Sequence, residues 1–122
     1  MCIRDSYESS FVESTSKELE AAKKSKNIMI DMSHGNSKKQ FKRQLIVNKD
    51  ISDQISSGEN RIFGVMIESH LEEGNQKIGP LEEIKYGQSI TDACVGWNDT
   101  EIMINQLSTA IENKRKKLHK SA

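Results

Sequence analysis

Met29-Ile30-Asp31 and Met66-Ile67-Glu68 repeat one short pattern 37 positions apart. Each closes an apolar run, residues 27–32 and residues 62–67, that is too short for a helix. Continuous apolar runs of this length read as strands buried on both faces, the pattern of a parallel sheet. Each run is followed within three residues by a Ser-His pair, Ser33-His34 and Ser69-His70. The offset suits one strand plus its crossover helix. This rhyme restricts the chain to an α/β fold with a parallel sheet.

The segments around the strands agree. Ser10 with Glu13 has the form of a capping box, and Val12, Leu19, Ala21 and Ala22 follow among charges. A weakly amphipathic helix is predicted over residues 10–24. Ser37 with Gln40 makes a second capping box. Behind it Phe41, Leu45, Ile51 and Ile55 recur at near-helical spacing, which predicts a helix over residues 37–57 with a break near Asn48-Lys49-Asp50. Ser57-Gly58 is its expected stop. Residues 69–97 form a long polar connection, the kind that compact domains keep for function. Gly79-Pro80 and Tyr86-Gly87 suggest turns of a small hairpin within it. Asn98 with Glu101 is a third candidate cap, opening a helix with the stripe Ile102, Met103, Leu107, Ala110, Ile111 and Leu118. Its basic end, Lys114-Arg115-Lys116-Lys117, suits the negative pole of a helix. Two parallel strands cannot close a barrel, and they leave their edges open. The pattern therefore predicts part of a domain.

Composition narrows the function. The 122 residues allow one modest domain. Lysine plus arginine equals aspartate plus glutamate, 18 against 18, which removes the basic excess that nucleic acid or an anionic membrane requires. Hydrophobic residues are only 34%, a thin supply for a self-contained core. Cys2 and Cys94 make neither a zinc spacing nor a disulfide framework, so a reduced, cytoplasmic setting is expected. No apolar run approaches the roughly 20 residues that cross a bilayer. The standard phosphate-binding, dinucleotide-binding and serine-elbow motifs are missing, which argues against those chemistries.

In such folds, active sites lie at the carboxyl ends of the strands. Those positions offer Asp31, Ser33, His34, Asn36, Glu68, Ser69 and His70, and the later loop adds Asp92. Imidazole with carboxylates suits a divalent ion such as Mn²⁺ or Fe²⁺. Blander readings stand beside this one. Asp31 and Glu68 can each be a cap, the partner of a lysine, or a ligand, and residue chemistry alone leaves the three open. His34 and His70 taken singly read first as hydrogen-bonded loop histidines, and His119 as a solvated one. Cys94 reads as a small packed side chain, Trp97 as a packing residue, and Met29 and Met66 as core.

Three blocks become specific when taken together. "IMIDMSHGNSKKQF", "IFGVMIESHLEEGNQ" and "YGQSITDACVGW" strongly resemble the C-terminal third of class I DAHP synthases (3-deoxy-7-phosphoheptulonate synthases). They occur in that family's order and at about its spacing, and "DISDQISSGEN" between the first two also fits. The resemblance runs from about Tyr7 to the end. It implies a (β/α)₈ TIM barrel, with residues 28–32 like the seventh strand and residues 62–68 like the eighth. It also implies the first step of the shikimate pathway of aromatic amino acid biosynthesis. Phosphoenolpyruvate condenses there with erythrose 4-phosphate in an aldol-type transfer that releases phosphate.

The family's divalent metal ion is held by a cysteine, a histidine, a glutamate and an aspartate. The resemblance maps the histidine to His34, the glutamate to Glu68 and the aspartate to Asp92. It makes His34 and Asp92 catalytic as well, with Asp92 touching a sugar hydroxyl. Ser33, Asn36 and Asn75 would hold these ligands in place. The cysteine comes from an early strand that this chain does not match, and neither Cys94 nor Cys2 takes its place. The phosphate-gripping basic residues also belong to unmatched segments. Residues 1–6 have no counterpart in the blocks and are read as an artefactual or disordered start, with residues 7–122 as the partial barrel. The expectation is a piece that is inactive alone, from an enzyme that is homo-oligomeric when complete. The competing expectation is a non-catalytic binding or assembly fragment that complements a partner chain.

Overall fold

The computed structural model describes residues 7–38 and 40–121. Its elements run in the order helix, strand, helix, strand, helix: α1 (Ser9–Ala21), β1 (Ile28–Asp31), α2 (Arg43–Ser56), β2 (Ile62–Met66) and α3 (Trp97–Lys120). A short 3₁₀ turn, Gly35–Ser37, separates β1 from α2. β1 and β2 pair in parallel, with Met29 opposite Gly64, Ile30 opposite Val65 and Asp31 opposite Met66. One extra residue of β2 enters at the start of this register, between the partners of Ile28 and Met29. The α/β class and the parallel pair read from the sequence are both present. Residues 1–6, expected to be an unmatched start, and Cys2 within them lie outside the described residues.

Alternation along the strands sorts their side chains. Ile30 and Met32 are buried on the face that the helices cover, and Val65 and Ile67 pack against the same core. Asp31 and Met66, one step out of phase, belong to the other face. That face is not covered: Met29, in phase with Asp31, is 54% exposed. The expectation of strands buried on both faces, and of Met29 as core, is therefore corrected. The helices of this chain shield one face of the sheet only.

The core lies between the covered face and the α2–α3 pair. Val47, Ile51 and Ile55 fall at four-residue intervals on α2, and Met103, Leu107 and Ala110 form the facing stripe of α3. Asn48 is buried between these helices, and its amide donates to the Met103 carbonyl and to Gln106 Oε1. That cross-link explains why α2 passes unbroken through Asn48-Lys49-Asp50, where the sequence predicted a break.

None of the three predicted capping boxes forms. α1 starts after Glu8, α2 after Lys42 and α3 after Gly96, each without a side-chain cap bond. Glu13 turns instead to Lys17 and Arg61. The Ser37 hydroxyl donates to the carbonyls of Ser33 and His34, which keeps the chain in the 3₁₀ turn and delays α2. Trp97, expected to pack, opens α3 but is 57% exposed. The predicted hairpin in residues 69–97 is replaced by isolated bridges, Ser69 with Val95, Gly74 with Cys94 and Asn75 with Ser89.

Two outcomes test this packing. Ile51 is fully buried, so Ile51→Ala should cost about 2–5 kcal/mol, read as a lowered urea midpoint. Arg61 binds Glu59 through paired hydrogen bonds and holds the Glu59 carboxyl below its usual range. Its contribution is fully present above the ordinary glutamate value, about 4.3, and is lost as pH falls through the lower folded-state value. Glu59→Gln should therefore flatten the acid limb of a stability–pH curve and leave its slope above pH 6 unchanged.

Candidate metal centre

Parallel pairing brings the carboxyl ends of β1 and β2 to the same edge, and the site is built there. β1 ends at Asp31, and the turn after it carries Ser33 and His34. Asp31 organises that turn. Its Oδ1 accepts the backbone N–H of Ser33 at 2.8 Å and the Ser33 hydroxyl at 2.7 Å. Its Oδ2 lies 2.7 Å from His34 Nδ1. Asn36 donates its amide to the Asp31 carbonyl at 2.7 Å. With Nδ1 committed to Asp31, the free ring nitrogen of His34 is Nε2.

Glu68 follows β2 by two residues, and its backbone is fixed from two sides. The Gln44 side chain both donates to the Glu68 carbonyl, at 3.2 Å, and accepts the Glu68 N–H, at 3.1 Å. The Val95 N–H donates to the same carbonyl at 3.0 Å, and the His70 N–H donates back to the Val95 carbonyl at 3.0 Å. These bonds stitch the loop bearing Asp92 to the segment bearing Glu68. Asn75 adds a second stitch by donating to the Thr91 carbonyl at 2.8 Å.

The three elements converge. His34 Nε2 is 3.1 Å from Glu68 Oε1 and 3.5 Å from Asp92 Oδ2. One donor atom from each of His34, Glu68 and Asp92 lies within 4.8 Å of the other two. Donors about 2.1 Å from a common ion sit about 3.0–3.4 Å apart, close to the two distances from His34. Electrostatics agree, because Asp31, Glu68 and Asp92 gather three carboxylates around one imidazole. Burial is the main cause that lifts the Glu68 carboxyl above its ordinary value; Asp92 and Asp31 push it the same way, and His34 opposes. The hydrogen bond to Asp31 raises the His34 ring. Partial burial would lift Asp31 itself, but bonds from Ser33 and His34 outweigh it and hold its carboxyl low. A nitrogen and two carboxylate oxygens, with the imidazole oriented by a further carboxylate, fit a divalent ion of intermediate hardness.

The other sequence candidates separate. His70 Nδ1 accepts the Leu71 N–H, which uses it locally. His119 is exposed in the last turn of α3. Cys94 is buried, its thiol donates to the Asp92 carbonyl, and burial pushes that thiol up, in line with a packed side chain. Asp31, weighed as a cap, a lysine partner or a ligand, is instead the partner that orients His34. Gln44 was missed. Its signal was an amide among the apolar positions of α2.

A family model described as the DAHP synthetase I family matches residues 4–105. The chain belongs to that family. It is 53% identical over 88 residues to the Phe-sensitive phospho-2-dehydro-3-deoxyheptonate aldolase of Escherichia coli K12, covering 72% of this chain and 25% of the relative. It is 48% identical to the phenylalanine-inhibited aldolase of the same name from Saccharomyces cerevisiae, covering 93% of this chain and 33% of the relative. Among solved structures, the Francisella tularensis phospho-2-dehydro-3-deoxyheptonate aldolase superposes with a TM-score of 0.84 at 40% identity, over 89% of this chain and 31% of that one. The chain thus spans about a quarter to a third of the length of these relatives.

Asp31→Asn tests the orienting role. It removes the carboxylate that raises the His34 ring, so the His34 titration followed by NMR should move down toward an ordinary histidine. An unmoved titration would mean that Asp31 does not govern this ring.

Proposed function

We propose that the chain is the metal-holding portion of a DAHP synthase, in which phosphoenolpyruvate condenses with erythrose 4-phosphate. In this reading residues 7–122 supply the last two strands of a (β/α)₈ barrel, from the C-terminal third of the enzyme. Its opening strands correspond to the part of the relatives' length that this chain does not span. The observation that carries the reading is the convergence of His34, Glu68 and Asp92 beyond the carboxyl ends of two parallel strands. Active sites of (β/α)₈ barrels lie at that end. The uncovered sheet face, with Met29 exposed, supports a barrel interior that other strands would complete. The family and the names of its relatives support the reaction class.

His34, Glu68 and Asp92 would hold the divalent ion, Mn²⁺, Fe²⁺ or similar. Bound there, such an ion supplies Lewis acidity toward the aldehyde oxygen of the sugar phosphate. The chain's own residues do the rest of the work assigned to this end of the barrel. Asp31 keeps the His34 proton on Nδ1 and so presents Nε2 as a donor. Gln44 and Val95 hold the Glu68 backbone. Asp92, the most exposed of the three, is placed to accept a hydrogen bond from a sugar hydroxyl. The carbon nucleophile of phosphoenolpyruvate then attacks the aldehyde, water adds to the neighbouring carbon, and phosphate leaves. Phosphate-gripping cations and a cysteine ligand would come from the remaining strands of a cytoplasmic, homo-oligomeric enzyme.

The purified chain should bind one Mn²⁺, and His34→Ala, Glu68→Ala or Asp92→Ala should each abolish that binding with little change in Tm. Unaltered Mn²⁺ content in the Glu68→Ala chain would remove Glu68 from the ligand set. The chain alone should form no product from the two substrates. Product that disappears on adding a chelator would contradict the partial-barrel reading.

A further inference from the structure

We infer that Gln44 is a positioning residue of the metal centre, setting the Glu68 carboxylate against His34 through the Glu68 backbone. The inference rests on the metal-binding reading above and extends it to a residue that touches no substrate or ion.

Gln44 occupies a core position. It begins the buried face of α2 that continues through Val47, Asn48, Ile51, Ser52 and Ile55. Its side chain is fully buried. Burying an amide costs free energy unless both its donor and its acceptor are used. Here both are used, and both on one residue. The Glu68 carbonyl accepts from Nε2, and the Glu68 N–H donates to Oε1.

The need for this pair lies in where the sheet stops. The last bond of the parallel ladder runs from the Met32 N–H to the Met66 carbonyl. After Met32 the chain turns away through Ser33 and His34, so Glu68 lies past the end of the ladder. The Gln44 amide then acts as a one-residue strand that extends the pairing to the ligand. It also joins the two halves of the site. α2 is the next α-helix after the His34 turn, and Gln44 ties that helix to Glu68. Without the amide, the Glu68 carbonyl keeps Val95, but its N–H loses the acceptor that Gln44 supplies. The 3.1 Å spacing between His34 Nε2 and Glu68 Oε1 then loses its anchor.

Gln44→Met keeps the length of the side chain and removes both bonds. Asn48→Leu is the control: it lies one turn along the same helix, is equally buried, and bonds α3 instead of the site. Mn²⁺ affinity of the purified chain would be read by loss of the free-ion EPR signal, beside Tm by circular dichroism. Gln44→Met should weaken Mn²⁺ binding on the order of tenfold. Asn48→Leu should lower Tm comparably and leave affinity within about twofold. If Gln44→Met shows no cooperative transition, Gln44→Asn, which keeps the amide one methylene short, should still weaken binding. Wild-type affinity in a folded Gln44 variant, or equal weakening by Asn48→Leu, would overturn the positioning role alone. No Mn²⁺ binding by the wild-type chain, or full binding by His34→Ala, would overturn the metal reading and this inference with it.

Discussion

Parallel pairing of β1 with β2 is the constraint on which the site depends. Antiparallel strands would send Asp31 and Glu68 to opposite edges of the sheet. Parallel ones deliver both acids to one edge, with Asp31 opposite Met66 and Glu68 two residues beyond. The pairing requires a crossover, and α2 supplies it. α2 also supplies most of the buried contacts with α3, so the element that makes the topology possible also builds the core.

The site then divides the labour between backbone and side chain. Backbone bonds from Val95 and the Gln44 amide locate Glu68, and the Ser69–Val95 bridge brings the Asp92 loop alongside. Side-chain bonds around Asp31 locate His34. The result is three carboxylates about one imidazole, an arrangement that repels itself unless a cation or protons offset it. Burial lifts the Glu68 carboxyl first and its acidic neighbours add to that, while the bond to Asp31 leads the rise of the His34 ring.

Much of this was legible in the sequence. The rhyme of Met29-Ile30-Asp31 with Met66-Ile67-Glu68 gave strand type, direction and the location of the candidate ligands, because apolar run length and strand-end acids are local signals. His34, Glu68 and Asp92 do converge, while His70 and Cys94 turn to local partners. Capping failed as a guide: Ser10, Ser37 and Asn98 look like caps, but Ser37 is used by the turn that follows β1, and the helix starts answer to packing. Gln44 and Asn48 stand out only as amides among the apolar positions of α2, and their roles were hidden for a related reason. A buried amide on a helix gives no sign of the distant backbone that it will serve. The exposure of Met29 could not be read either, since a strand-like apolar run does not say which of its neighbours the chain contains.

The most direct test of the central claim is an anomalous difference map from crystals of the chain soaked in Mn²⁺. The account predicts one strong peak about 2.0–2.2 Å from His34 Nε2 and from carboxylate oxygens of Glu68 and Asp92. A peak elsewhere on the molecule, or none at these three side chains, would contradict it.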